Sequence, residues 1–248
     1  MFFIFANLTL AGVLLIIGIL TLKMVSHANE IVFASLPLLF GLHQLTQAFV
    51  WLGLYQLASP QTLHVAATIF VFYAQAALPL LVPLAIWLLE PAGVRKRLIA
   101  ALLLVGGLLA GYVTWGLSVQ PTSVFIENDT LVYTNPTTSH WWIAFTYILT
   151  TCGSLILSRS VTIQIFGWMN LLGLLVVYLI AQYSFTALWC LYAALVSCIL
   201  YLHFIERRIA FLQTLKRTEH RVGNEIEDEL EKLARLYPML RKIFVRPV

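Results

Sequence analysis

Long uncharged apolar runs, separated by short polar segments, dominate the chain. No Asp, Glu, Lys or Arg occurs in residues 31–89, 98–126, 130–158 or 160–205. A helix needs about 20 apolar residues to cross roughly 30 Å of hydrocarbon. Seven runs fit this role, so the pattern predicts membrane-spanning helices at Asn7–Leu22, Val32–Leu54, Leu63–Leu89, Leu98–Leu117, Trp141–Leu157, Val161–Ala181 and Phe185–Ile205.

The apolar residues follow one another without alternation. Backbone polar groups must be hydrogen-bonded inside a bilayer, so a spanning segment is a helix or a strand of a closed barrel. Barrel strands alternate between apolar and polar residues, and these runs do not. The sequence therefore predicts an all-α fold, a polytopic seven-transmembrane-helix bundle over residues 1–206 followed by a cytoplasmic amphipathic helical tail over residues 207–248. A content of 60% hydrophobic and 10% charged residues agrees with this class.

The positive charges determine the predicted orientation, because cytoplasmic loops retain Lys and Arg while translocated loops lose them. All fifteen basic residues fall on one side of the seven-helix arrangement. They are Lys23, the run Arg95–Arg97, Arg159, and ten residues after the seventh helix. The N-terminus is predicted outside and the C-terminus inside, in a multi-pass protein of the cell membrane. The net charge of +4 needs no nucleic-acid partner, since the lipid bilayer is the partner that such loops meet.

Two segments are predicted to lie outside the membrane. The outer loop, residues 118–140, contains two β-branched and aromatic runs around Asn128-Asp129, a pattern typical of a short β-hairpin; an ordered connector is the alternative. In the inner tail, Gly223 predicts a helix end and Asn224 a capped restart. Apolar residues of that second helix are predicted at Ile226, Leu230, Leu233, Tyr237 and Leu240.

The apolar face of the tail helix has three alternative roles. It can pack under its own bundle, lie on lipid, or bind a partner. In the third case, residues 224–246 contact a second copy of the chain or a cytoplasmic protein.

Polar residues inside the spans are the candidates for function, since polar groups are costly in lipid and face the bundle interior. The second span has the densest set, with His43, Gln47 and Trp51 spaced on one helical face and Gln44 beside it. Near the same depth the sequence predicts further members of a shared polar core: Tyr73, Gln75 and Asn170. This set indicates an intramembrane ligand cavity. Interhelical hydrogen bonding that holds the bundle together is the alternative.

The second span also resembles a known family. The run Pro37-Leu38-Leu39-Phe40, followed by His43-Gln44, Gln47 and Trp51, is similar to a family of uncharacterised prokaryotic seven-helix membrane proteins, a domain of unknown function. The similarity lies mainly in the first two spans. The family pattern has Gln, Glu and Gly where this chain has His43, Gln47 and Ala48. The resemblance implies the architecture and no mechanism.

Several catalytic classes lack their required residues. A retinal-binding protein needs a lysine in its last span, and Phe185–Ile205 contains none. A Ser-His-Asp triad needs an acid, and no predicted span contains one. His64 and His140, at the outer ends of two spans, form only a weak metal-site candidate without a carboxylate. The sequence therefore predicts neither a catalytic residue nor a cofactor.

Three functions remain open. The first is a sensor or receptor-like protein that binds a small molecule or lipid in the membrane and couples it to the tail. The second is a small-molecule transporter, for which Pro79 and Pro83 provide a helix break. The third is a membrane-embedded metal-dependent hydrolase built on His64 and His140. The polar stripe and the structured tail favour the first.

Overall fold

A computed structural model of the protein describes residues 2–127, 130–180, 185–218 and 229–238. These residues form eight helices and one two-stranded sheet. The helices are α1 Phe2–Lys23, α2 Ala28–Leu54, α3 Pro60–Leu89, α4 Val94–Val119, α5 Trp141–Leu157, α6 Val161–Ile180, α7 Phe185–Thr218 and α8, residues 229–238. The strands are β1 Ser123–Glu127 and β2 Thr130–Thr134.

Five helices in the described part of the chain are long and apolar enough to cross a membrane: α1, α2, α3, α4 and α6. Helix α5 is apolar but has only 17 residues. Large apolar side chains on the outer faces of these helices are exposed, as Leu104 and Leu108 of α4 illustrate at 67% and 69%. Such faces are suited to lipid rather than water. These helices confirm the prediction of a helical membrane protein.

Small residues let α1 and α2 approach closely. The buried face of α1 consists of residues three or four apart, so it forms one stripe: Ile4, Asn7, Ala11, Leu14, Gly18 and Thr21. A Cβ atom on Gly18 would overlap the backbone of Leu38 in α2. Close backbone contact of this kind is how membrane helices associate without a hydrophobic driving force.

Helix α3 is irregular near its middle. Residues Tyr73–Ala77 form a π-helical turn, in which the Leu78 N–H bonds to the Tyr73 carbonyl. Pro79 follows this turn and has no N–H to donate to the preceding turn, which explains why the regular hydrogen-bond ladder is interrupted here. The segment packs against α4.

The outer loop contains the predicted hairpin. Strands β1 and β2 pair antiparallel, with Ser123 opposite Thr134 and Glu127 opposite Thr130. The predicted turn residues Asn128 and Asp129 lie outside the described residues. Leu131 is buried, and β2 packs against α7, so the hairpin covers one end of the bundle, the end that is predicted to face outward.

The tail helix α8 lies against the C-terminal part of α7. Leu233 is 5% exposed and packs with Ile205 and Leu212. The Arg208 guanidinium donates two hydrogen bonds to Glu229, at 3.0 and 3.3 Å. Within the described residues, part of the apolar face of α8 is therefore covered by the helix bundle of the same chain. The predicted restart at Gly223, Asn224, Ile226 and Glu227 lies outside the described residues, as do Leu240 and residues 241–248.

Candidate functional site

The polar stripe on α2 is buried along its whole length. His43 is 2% exposed, Gln44 is fully buried, Gln47 is 6% exposed and Trp51 is 3% exposed. The inward direction predicted from the helical spacing is correct. Whether these residues bind a ligand stays a prediction.

The imidazole of His43 lies against two aromatic rings of α3. It stacks on Phe70 with ring centroids 4.1 Å apart and an interplanar angle of 18°, and it contacts Tyr73 at 4.4 Å. Among the residues that the structure describes, neither ring nitrogen of His43 has a hydrogen-bond partner. A buried polar atom without a partner costs about 1–3 kcal/mol. His43 is therefore held by ring contacts while its hydrogen-bonding capacity is unused.

Further aromatic contacts extend this arrangement in both directions. Tyr133 of β2 stacks on Phe70 at 4.4 Å with an interplanar angle of 10°, and Phe40 meets Tyr73 edge-on at 6.0 Å. We call the set Tyr133, Phe70, His43, Tyr73 and Phe40 the aromatic column. It connects the outer hairpin to the middle of the bundle. Phe70 and Tyr133 were not predicted from the sequence as site residues. The three-residue spacing of Phe70 and Tyr73, which places both on one helical face, could have indicated Phe70.

Gln75 follows Tyr73 by two residues in the π-helical turn of α3. Its Oε1 atom is buried without a hydrogen-bond partner among the described residues, as is the Oε1 atom of Gln47. Whether Gln75 shares a polar core with His43 stays a prediction.

Asn170 of α6 borders a cavity whose walls do not include His43. Whether the two residues bind one ligand stays a prediction. The amide of Asn170 donates a hydrogen bond to the Phe166 carbonyl at 2.7 Å. The cavity has a volume of about 20 Å³, and its walls also include Phe40, Tyr147 and Cys152. This volume accommodates about one water molecule. Phe40 of the aromatic column stands between this cavity and Tyr73.

Trp51 packs in an aromatic cluster at the outer end of α2. It stacks on Phe3 of α1 at 4.6 Å and on Tyr55 at 5.6 Å. It lies two turns from His43, about 12 Å along the helix. Its role in the structure is to join α1 and α2 under the hairpin.

The N-terminal end of α2 carries a buried acid, which in the sequence only marks the start of a long uncharged run. Glu30 is 2% exposed and forms an ion pair with Arg207 of α7 at 2.8 Å. It also accepts hydrogen bonds from the backbone N–H groups of Ser26, at 2.9 Å, and His27, at 3.4 Å. An acid alone at a helix boundary gives no sign of which distant cation it will meet.

The weak metal candidates remain at the surface. His64 and His140 are both exposed. His140 stacks on Trp142 with centroids 6.4 Å apart. Across the described ranges, no group of three or more His, Cys, Asp or Glu side chains is placed to hold a metal ion.

A family profile described as "Family of unknown function (DUF6629)" matches residues 3–214. The chain belongs to this family. The match runs from α1 into the inner extension of α7, so it is much longer than the two spans in which the resemblance was seen. It includes the whole aromatic column and the Glu30–Arg207 pair, and it excludes α8. Comparisons with curated proteins and with solved structures gave no match.

Proposed function

We propose that this DUF6629 protein is receptor-like: it binds a small neutral polar molecule beside His43 and communicates occupancy to its cytoplasmic tail. One observation carries the proposal. His43 is buried at mid-bundle, and within the described part of the chain both of its ring nitrogens lack a hydrogen-bond partner. Buried polar groups in folded proteins are nearly always hydrogen-bonded, so a non-protein partner is the natural complement of this ring.

The surroundings of His43 favour an uncharged ligand. No charged residue occurs between Glu30 and Glu90, the stretch that forms α2 and α3. A neutral imidazole offers one donor and one acceptor, and the Oε1 atom of Gln47 adds an acceptor on the same face of α2. The ligand would therefore combine a hydroxyl or N–H donor with an acceptor. A lipid with a neutral polar group satisfies the same chemistry.

The hairpin lies on the route by which a ligand from outside would reach His43. Tyr133 of β2 stacks on Phe70, and Phe70 stacks on His43. Displacing the hairpin would thus uncover the outer side of the His43 contact.

Helix α2 supplies the connection to the inside. From His43 it runs about 20 Å to Glu30, which pairs with Arg207 of α7. One turn from Glu30, Phe33 contacts the rings of His203 and Phe204, each at 6.0 Å. Because α8 rests on the same part of α7, a shift of α2 would alter the surface on which the tail lies.

The topology that this function requires has seven spans with the N-terminus outside and the C-terminus inside. It is supported by the fifteen basic residues, which all fall on one side in this arrangement. Helices α5 and α7 would then cross the bilayer together with the five long apolar helices. Such a protein belongs in the plasma membrane of a prokaryotic cell.

The test uses purified full-length protein and a shape-matched variant. His43→Phe keeps an aromatic ring against Phe70 and removes both nitrogens, whereas Asn170→Leu changes a buried polar group at the separate cavity. Native mass spectrometry should find a co-purified small molecule on the wild type and on Asn170→Leu, and none on His43→Phe. Hydrogen exchange in residues 229–238 should differ between loaded and unloaded protein. Equal ligand retention by both variants would refute the assignment to His43.

A transporter is the second candidate, favoured by the π-helical turn at Tyr73–Ala77 beside Pro79. Interrupted helices near mid-membrane are a feature of substrate sites in transporters. Once the co-purified molecule is identified, its uptake into liposomes decides between the two functions. Flux through the reconstituted protein supports transport, whereas binding without flux supports the receptor.

A further inference from the structure

Two inner loops, far from His43, are joined into one polar surface. The Arg95 guanidinium of α4 donates to the Ser158 carbonyl at 3.4 Å, and the backbone N–H of Arg159 donates to the Glu90 carboxylate at 2.9 Å. Gln164 donates to the same Ser158 carbonyl at 2.6 Å. The α3–α4 and α5–α6 loops are therefore held side by side.

This surface concentrates positive charge without neutralising it. Four cations lie on it: Arg95, Lys96, Arg97 and Arg159. Among the residues that the structure describes, none of the four forms an ion pair with an Asp or Glu side chain. Glu90 is only 5% exposed, and its carboxylate is already used by a backbone N–H.

The positions of three of these cations are unfavourable for an isolated helix. Arg95, Lys96 and Arg97 occupy the first turn of α4, where the helix dipole disfavours positive charge. Gly93 precedes the turn and supplies no side-chain cap. An anion bound at this surface would offset both the mutual repulsion of the cations and the uncapped helix start.

Apolar side chains directly beside the cations indicate what carries the anion. Val94 and Leu98 of α4 are 72% and 49% exposed, and Val161 of α6 is 67% exposed. The Lys96 ammonium lies 4.7 Å from the centre of the Trp87 ring, and tryptophan is typical of the headgroup level of a bilayer. The surface thus combines a charged patch with an apolar border at the depth where headgroups meet acyl chains.

We infer that Arg95, Lys96, Arg97 and Arg159 form a binding site for the phosphate of an anionic phospholipid, with Val94 and Leu98 beside its acyl chains. This inference does not depend on the proposed function at His43. It assigns the inner loops a role beyond the orientation of the chain during insertion.

The experiment measures lipid binding to the full-length protein in detergent micelles by native mass spectrometry. The probes are phosphatidylglycerol, phosphatidylcholine as the zwitterionic lipid, and inorganic phosphate. The test variant is the triple substitution Arg95→Gln, Arg97→Gln and Arg159→Gln. The matched control is Lys23→Gln, Lys232→Gln and Arg235→Gln, which removes the same charge from the same end of the bundle but from exposed positions elsewhere.

The wild type should bind phosphatidylglycerol in preference to phosphatidylcholine. The test variant should lose about a hundredfold in that affinity, since each juxtamembrane cation contributes about a fivefold factor. The control should lose less than about threefold. The variant Arg95→Lys, Arg97→Lys and Arg159→Lys should retain most of the affinity, because a site based on charge tolerates lysine.

Three results would overturn the inference. Wild-type protein could bind both lipids equally, a result that needs no variant to fold. The test and control variants could lose affinity equally, which would assign the attraction to overall charge rather than a site. Inorganic phosphate at millimolar concentration could displace phosphatidylglycerol completely and raise the melting temperature of the protein as much as phosphatidylglycerol does. This result would make free phosphate the ligand.

Discussion

A Cβ atom on Gly106 of α4 would occupy the space of the Pro79 carbonyl oxygen in α3. In a regular helix the N–H of residue 83 would bond to this carbonyl, but residue 83 is also a proline and has none. The carbonyl is therefore free to point toward the neighbouring helix, where only glycine leaves room for it. The irregularity of α3 and the close approach of α4 are thus linked: the first depends on the N–H groups that the prolines lack, and the second on the side chain that Gly106 lacks.

Replacing Gly106 with alanine should destabilise the bundle by about 1–3 kcal/mol, the usual cost of overpacking. The new Cβ atom would meet the backbone carbonyl of Pro79, which cannot move aside as a flexible side chain can. Gly111→Ala is the matched control, because a Cβ atom there has nothing within 4 Å. Thermal melts in detergent should show a lower midpoint for Gly106→Ala only. Equal midpoints for the two variants would contradict the close approach.

The Glu30–Arg207 pair should respond unequally to removal of its two members. Glu30→Gln leaves Arg207, whose side chain is 43% exposed and can be solvated. Arg207→Gln leaves a carboxylate that is 2% exposed without its cation, and a buried unpaired charge is strongly destabilising. We expect Arg207→Gln to cost about 1–2 kcal/mol more than Glu30→Gln in unfolding experiments. A larger loss for Glu30→Gln would contradict the predicted asymmetry. Additive losses in the double variant would show that the two groups are not coupled.

Truncating Leu233 should release the tail helix from α7. Leu233 is 5% exposed between Ile205 and Leu212, and a Leu→Ala change in a packed core costs about 2–5 kcal/mol. Hydrogen exchange in residues 229–238 should become faster in Leu233→Ala, while the melting temperature of the bundle changes little. Lys232→Ala, at an exposed neighbouring position, is the control. Collapse of the whole bundle in Leu233→Ala would mean that α8 is part of the core.

Helix α3 should place its two ends on opposite sides of the membrane. Single cysteines introduced at Gln61, in the first turn of the helix, and at Ala92, after its end, occupy exposed positions. A membrane-impermeant maleimide applied to intact cells should label the cysteine at position 61, and the one at position 92 only after lysis. Labelling of both from the same side would end the topology in which the basic loops face the cytoplasm.

The burial of the α2 stripe could be predicted because a helix places residues three or four apart on one face. His43, Gln47 and Trp51 needed no tertiary information to be directed inward. The neighbours of His43 did need it, because which face of α3 meets α2 depends on the packing of whole helices. The π-helical turn at Tyr73–Ala77 also affects which face meets α2, because the extra residue in the turn changes the direction of every later side chain of α3.

The sequence by itself determined the class of this protein, because an uncharged run of some twenty residues is stable only where water is absent. It also determined which segments are helices and which carry the basic charge. The tertiary structure alone decided which polar groups meet. Asn170 borders a cavity that His43 does not line, and Glu30 meets a cation far along the chain. Residue spacing specifies depth and face within one helix, whereas contact between helices depends on how glycines, prolines and aromatic rings allow their surfaces to fit.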